Sequence, residues 1–270
     1  MTIRAAVFDI DGTLAMMDKD AGTYTALPGA IEALKSLSTR MPVVAYTNGT
    51  FFSPAHYYPL LADAGLHLAP GHILTPATVA ARHLAKTYKR IMVLGADGTK
   101  IPLRNAGIEV AEARPGVGAV DAVLIGWTND FGAADLEAAA QAIWAGAPVY
   151  ATSVAPYFAS AKGRMLGISG AIAAALHNAT GAKPTVFGKP ETAGLDIVAD
   201  LTGVAAADMA VIGDDPKLEI LMARRAGAYA IGVTTGIADT AAFKAMPPDQ
   251  RAHHVLPSLV GLASRNWFTP

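Results

Sequence analysis

Residues 5–14 read AAVFDIDGTL, and no other stretch limits the fold as tightly. Ala5, Ala6, Val7 and Phe8 run without polar alternation. That is the pattern of a strand covered on both faces, as in a parallel sheet flanked by helices. The run stops at Asp9. Side chains two apart on a strand project to the same side, so Asp9 and Asp11 converge at its carboxyl end, where Asp11-Gly12 opens a turn. Two carboxylates ~4 Å apart repel by about 4 kcal/mol at an effective dielectric of ~20. A bound cation, a shared proton or both must offset that cost. The chain carries its own control. IMVLGADGT at 91–99 is another apolar run ending in Asp-Gly-Thr, but Gly95 stands where the first aspartate would be. There Asp97-Gly98 is expected to be a plain turn.

The rest of the chain alternates short β-rich runs with helix-like stretches. This predicts an α/β fold with a Rossmann-like, mainly parallel core sheet. Core strands are expected at 4–9, 42–47, 185–188, 209–213 and 228–233. Helices are expected at 28–38, opened by Pro28, at 53–64, closed by Gly65, at 191–201 and at 216–226. The middle, 76–184, has its own rhythm: RIMVLG, IEV, DAVLIG and PVYAT alternate with helices near 75–88, 133–145 and 169–179. It is long enough for a core of its own. The expected organisation is therefore a core from 1–75 and 185–270, with an α/β domain inserted at 76–184.

Charge is nearly balanced, 21 basic against 22 acidic residues in a chain of 270. That argues against nucleic-acid and membrane-surface partners, which select a basic excess. There is no cysteine, hence no disulfide framework, zinc-thiolate site or thiol nucleophile. The start MTIRAAVFDID meets acid too soon for a signal-peptide core, and the alanine-rich runs are broken well short of a membrane span. A soluble cytoplasmic protein is the expectation.

Three further motifs stand at expected strand ends: Thr47-Asn48-Gly49 after VVAY, Gly188-Lys189-Pro190 after TVF, and Gly213-Asp214-Asp215 after MAVI. Open α/β sheets bind ligands outside the carboxyl ends of their strands. Singly these motifs are ordinary loop chemistry; together they fit phosphoryl transfer, which needs an in-line nucleophile, a cation and fixed donors for the equatorial oxygens. Asp9 can attack phosphorus, giving an aspartyl-phosphate. Asp11 can protonate the leaving oxygen and then deprotonate the water that cleaves the intermediate. Asp9 and Asp214, with the Asp11 main-chain carbonyl and waters, form an all-oxygen set suited to Mg²⁺. Thr47 and the N–H groups of the Asp11-Gly12 and Asn48-Gly49 turns can hold phosphate oxygens, and Lys189 can balance Asp9 and the phosphate.

With DIDGT, TNG, GKP and GDD in this order, the chain resembles the haloacid dehalogenase superfamily of phosphatases. The insertion between TNG and GKP resembles the α/β cap of its class IIA, NagD-like branch. LPGAIEAL, VLGADG, LIGWTNDF, GISGAIAAAL and TGAKP agree with that branch. The resemblance implies Asp9 as nucleophile, Asp11 as acid/base, Thr47 and Asn48 in the phosphate loop, Lys189 as charge-balancing lysine and Asp214 as metal ligand. It also implies Mg²⁺ dependence, a small phosphate ester as substrate (nucleotide, sugar phosphate, pyridoxal phosphate or phosphoglycolate) and a homodimer formed through the cap. Three departures stand out. Leu218 and Glu219 occupy the places of the usual Thr-Asp in the fourth motif. GWTNDF replaces Gly-x-Asp-Arg-Asp, and ATS at 151–153 replaces ATN.

Two rival readings remain on the same scaffold: a phosphotransferase or phosphomutase, and a non-catalytic phospholigand-binding protein. The second would show erosion at the nucleophile or lysine, and neither is eroded. His83, His177, His253 and His254 have no metal-site spacing and are expected on surfaces or helix faces. GWTNDF follows the strand AVLI, so its loop is expected to face the core. Trp127, Asn129 and Asp130 are then the residues expected to touch the leaving group, with capping of the next helix as the alternative role for Asp130.

Overall fold

In the computed structural model, which describes residues 2–18, 20–160 and 163–268, the opening apolar run forms β1 (Ala5–Phe8), buried at every position. A hairpin of β2 (Ala15–Asp18) and β3 (Thr23–Ala26) follows. Then come α1 (Ala30–Ser38), β4 (Val43–Tyr46), α2 (Pro54–Asp63) and the short β5 (Ile73–Leu74). The middle holds α3 (Pro76–Leu84), β6 (Arg90–Leu94), α4 (Asp97–Asn105), β7 (Glu109–Glu112), β8 (Ala122–Ile125), α5 (Ala133–Trp144) and β9 (Val149–Ala151). A second hairpin, β10 (Tyr157–Ser160) with β11 (Gly163–Leu166), precedes α6 (Ile168–Thr180) and β12 (Thr185–Val186). The last part contains α7 (Ala193–Thr202), β13 (Met209–Gly213), a π-helical turn at Pro216–Ile220, α8 (Leu221–Arg225), β14 (Tyr229–Val233), α9 (Thr240–Ala245) and β15 (His254–Leu256).

The expected α/β class is the one observed. One sheet runs β15-β14-β13-β1-β4-β5 and the other β12-β9-β8-β6-β7, with every pairing in both parallel. Period-2 alternation sends Val7, Val44 and Val211 to one face of the first sheet and Phe8, Ala45 and Ile212 to the other. The first of these clusters also contains Ile91, Val93 and Leu124 of the second sheet. The two sheets thus share packed apolar contacts. Met92, Val123 and Ile125 point the opposite way, into a separate cluster with α5 and α6. Truncating fully buried Phe8 to alanine would cost about 3–5 kcal/mol.

Local sequence explains the helices. In α1, Ala30, Ala33, Leu34 and Leu37 make one buried stripe at 3.6-residue spacing. In α3, Thr75 caps the first turn by accepting from the Thr78 N–H, and Pro76 occupies the first turn, where its missing N–H costs nothing.

The structure departs from expectation at several places. Asp97-Gly98-Thr99 opens α4 rather than making a plain turn. Asp97 suits the positive end of a helix, the Ala96 N–H donates to Trp127 O at 2.8 Å, and the Thr99 hydroxyl donates to Thr50 O at 3.4 Å. The strand expected at 185–188 spans only Thr185–Val186 and edges the second sheet beside β9. Both hairpins went unread, because their charged and glycine residues interrupt the apolar pattern. Among the described residues, no helix is long and apolar enough to cross a membrane.

Candidate active site

Parallel pairing of β1 between β13 and β4 brings three of the motifs to one sheet edge. Phe8 is in register with Ile212 and Ala45, and the Asp9 N–H donates to Ile212 O at 2.9 Å. Asp9, Thr47 and Asp214 therefore follow directly on neighbouring strands, and all are buried. Lys189 arrives separately, from the loop between β12 and α7. Asn48 secures it: its Nδ2 donates to Lys189 O at 3.0 Å and its Oδ1 accepts from Lys189 N at 2.9 Å. The Tyr46 hydroxyl holds the same loop through Phe187 O at 3.0 Å. The Asn48 side chain is thus committed to the lysine's main chain.

Lys189 is only 3 % exposed, so each ammonium proton needs a partner. It donates to Asp9 Oδ1, to Glu219 Oε1 at 2.6 Å and to Tyr46 O at 2.9 Å. Burial alone would lower its pKa, but Asp9 and Glu219 outweigh that and hold it above the ordinary lysine value. Glu219 is 2 % exposed, and its Oε2 accepts from the Asp215 N–H at 3.1 Å. The π-helical turn at Pro216–Ile220 carries it inward. Gly213 makes room for the longer acid, since a Cβ there would collide with Glu219 Cγ. Glu219 is therefore a partner of the lysine.

Burial drives the Asp9 carboxyl well above its usual value, opposed by Lys189 and reinforced by Glu219, Asp214 and Asp11. Asp214 is pushed up to about 7 by burial and by Glu219, against the Ile237 N–H that donates to its Oδ2 at 2.7 Å. Gly12, at φ +92°, passes so close that a Cβ would collide with the Asp214 carboxylate. Three buried acids, Asp9, Asp214 and Glu219, thus face one buried ammonium. A divalent cation fits that deficit of positive charge. Among the described residues no three acid or imidazole side chains converge into a closed metal cage. Two carboxylates and a carbonyl suit Mg²⁺, which keeps several waters.

Around Asp11 and Thr47 stand two tyrosines that sequence reading missed. Tyr24 of β3 is buried within reach of the Asp11 charge. Tyr57 of α2 is buried with its hydroxyl against Gly49, where a Cβ would collide with it. Their rings lie 6.4 Å apart. Burial first, and then the Asp11 charge, raise both phenols above their ordinary range. The Thr47 hydroxyl also accepts from the Gly49 N–H at 2.9 Å, which closes the Thr47-Asn48-Gly49 turn.

The loop after β8 does face the core, at Trp127. Its N–H donates to the Thr50 hydroxyl at 3.2 Å, and its ring meets Phe51 edge-on at 4.7 Å. Phe51 was also missed, although two aromatics directly after TNGT were a visible signal. Asn129 and Asp130 lie exposed in the same loop. Asp130 does not cap α5. The N–H of the capping residue Gly132 donates to Asp135 Oδ2 at 2.7 Å. The histidines are occupied elsewhere: His83 stacks on Phe187, His177 contacts Ala182 O, and His253 and His254 stack on Tyr229 and Trp267.

Residues 6–109 match the family model described as haloacid dehalogenase-like hydrolase, and 186–262 match a second model of HAD-like hydrolases. Dihydroxyacetone phosphatase of Corynebacterium glutamicum is 28% identical over 94% of this chain and 89% of its own length. Haloacid dehalogenase-like hydrolase domain-containing protein 2 of Bos taurus is 31% identical over 87% of this chain and 85% of its own. Among solved structures, glycerol phosphate phosphatase Rv1692 from Mycobacterium tuberculosis in complex with magnesium superposes with a TM-score of 0.84 at 27% identity, over 96% of this chain and 76% of that one. NagD from E. coli K-12 gives 0.82 at 25% identity, over 96% and 98%.

Proposed function

The chain belongs to the haloacid dehalogenase-like hydrolases and is a phosphatase of their class IIA, NagD-like branch; on that premise we propose that it hydrolyses small phosphate monoesters through an aspartyl-phosphate on Asp9. One observation carries the reading above the others. A buried Lys189 is salt-bridged to Asp9 at the same sheet edge that holds Asp11, Thr47 and Asp214.

In the first half-reaction an Asp9 carboxylate oxygen attacks phosphorus while the bond to the leaving oxygen breaks, and Asp11 gives that oxygen its proton. In the second, water attacks phosphorus, Asp11 takes the water's proton, and the Asp9–phosphorus linkage breaks. Lys189 neutralises Asp9 and the incoming phosphate. Asn48 serves by holding the Lys189 main chain, while the Thr47 hydroxyl and the Asn48 N–H bind phosphate oxygens; the Gly49 N–H, expected to share that task, is instead taken by the Thr47 hydroxyl. Asp9, Asp214 and the Asp11 carbonyl would hold Mg²⁺. When bound, the ion supplies positive charge for the attacking and transferring oxygens.

The inserted segment 76–184 acts as a cap that closes on the site and excludes water. Trp127, Asn129 and Asp130 face the leaving group, with Phe51 beside Trp127. The substrates are of nucleotide, sugar phosphate, pyridoxal phosphate or phosphoglycolate type. The dihydroxyacetone and glycerol phosphatase relatives support testing triose and polyol phosphates first. A cytoplasmic homodimer joined through the cap belongs to the same reading. The test is release of free phosphate from such a panel with Mg²⁺, with and without chelator. Metal-dependent release supports hydrolysis. Binding without turnover, or transfer of the phosphoryl group to a second substrate, would contradict it.

A further inference from the structure

β14 lies beside β13 with Gly232 in register with Gly213, so residues 234–237 leave the sheet next to Asp214. The segment carries none of the four motifs, yet it touches both turns that would hold the cation. The Thr235 hydroxyl donates to Gly12 O at 2.7 Å. The Ile237 N–H donates to Asp214 Oδ2 at 2.7 Å. Between them Gly236 passes so close that a Cβ would collide with the Asp214 carboxylate, and a Cβ on Gly12 would come within 3.0 Å of Gly236 Cα. From the catalytic turn, the Thr13 hydroxyl reaches Asp214 Oδ1 at 3.5 Å.

We propose that Thr235 is a positioning residue for the divalent cation, its hydroxyl locking the turn that presents the Asp11 main-chain carbonyl beside Asp214. The inference rests on the reading above, in which that carbonyl, Asp9 and Asp214 hold Mg²⁺. Gly12 sits at φ +92°, and glycine changes backbone conformation at little steric cost. A carbonyl on the peptide before it would turn easily unless Gly12 were tied on both sides. It is. The Gly12 N–H donates to Ala15 O at 2.9 Å, so this donor, one of those expected to hold phosphate oxygens, is committed. The N–H and C=O of a trans peptide point opposite ways, which directs the Asp11 carbonyl away from Ala15. Thr235 holds the carbonyl on the other side of Gly12. Mg²⁺ demands near-ideal octahedral geometry, so a ligand free to turn loses affinity. Groups that orient metal ligands are worth about 10–100-fold in metal affinity.

The test titrates Mg²⁺ into the metal-free protein without substrate and follows the thermal midpoint. Thr235→Val keeps the shape and loses the donor, and is expected to raise the apparent Kd about tenfold. Thr235→Ala, which removes the hydroxyl without adding a methyl, should show the same rise. Thr235→Ser keeps the hydroxyl and should stay within about twofold of wild type. A packing role alone would lower the midpoint equally at every Mg²⁺ concentration and leave the Kd unmoved. An unchanged Kd in either Thr235→Val or Thr235→Ala, or a rise that serine does not reverse, would overturn the proposal. Asp214→Asn, titrated in the same way, separates the two levels of inference. If it abolishes the Mg²⁺ shift while Thr235→Val leaves the Kd alone, only the positioning role fails. If Asp214→Asn binds Mg²⁺ as the wild type does, the metal site and its positioning fail together.

Discussion

Lys189 Nζ lies 2.6 Å from Glu219 Oε1 inside the protein, and the same ammonium also grips Asp9. The nucleophile's partner is thus itself anchored by a second acid. Glu219→Ala leaves Lys189 paired with Asp9 but takes away one of the three acceptors of a buried ammonium, which costs about 1–3 kcal/mol. The variant is expected to lose stability in that range in urea melts, and to lose turnover as Lys189 loses its second carboxylate anchor. A loss below about 1 kcal/mol would show that the pair does not matter to the fold.

Lys189→Ala should raise KM and lower kcat together. It removes the positive charge that phosphate meets and leaves Asp9 and Glu219 facing each other unbalanced. Steady-state kinetics on para-nitrophenyl phosphate check this, and full activity would show that the lysine plays no part in the chemistry.

A third expectation concerns metal and pH. Burial sets the native pKa of Asp214 at about 7, above its unfolded value. Its contribution to the stability of the metal-free fold is therefore complete below the ordinary carboxylate range and lost as pH rises through about 7. Mg²⁺ needs the ionised acids, so it must compete with protons at low pH. Mg²⁺ at about 100 times its Kd at pH 8 should stabilise by about 2.7 kcal/mol there, and the same concentration by much less at pH 5.5, read as a thermal shift. An equal shift at both pH values, or none, would contradict the site.

Much of this site was legible in the sequence because its residues follow unbroken apolar strands, and burial on both faces leaves such runs little freedom of register. Asp9, Thr47 and Asp214 come together for that reason. Lys189 was legible as a residue but not as a location, since its strand joins the other sheet and Asn48 draws the loop back. Tyr24 was hidden by its hairpin, whose inward side chain is flanked by polar, exposed neighbours. The inward turn of Glu219 depends on a π-helical turn, and the Phe51–Trp127 contact on how the sheets meet; neither has a periodic signature.

Asp130 offers a test of where specificity resides. It is exposed in the loop whose Trp127 touches Phe51, and Asp135, not Asp130, accepts from the capping N–H of Gly132 before α5. Asp130→Ala should re-rank natural phosphate esters by ~1–3 kcal/mol in relative kcat/KM, with a much smaller change on para-nitrophenyl phosphate. Parallel losses across the panel would remove Asp130 from the specificity role.

The central claim is that Asp9 is the nucleophile, and the most direct measurement is Mg²⁺-dependent turnover of para-nitrophenyl phosphate by Asp9→Asn. The amide keeps the shape of the side chain but lacks the charge that attacks phosphorus and pairs with Lys189. Turnover is expected to vanish into the background while the variant remains folded. Retention of more than about a tenth of wild-type kcat, a barrier change under ~1.4 kcal/mol, would contradict the account.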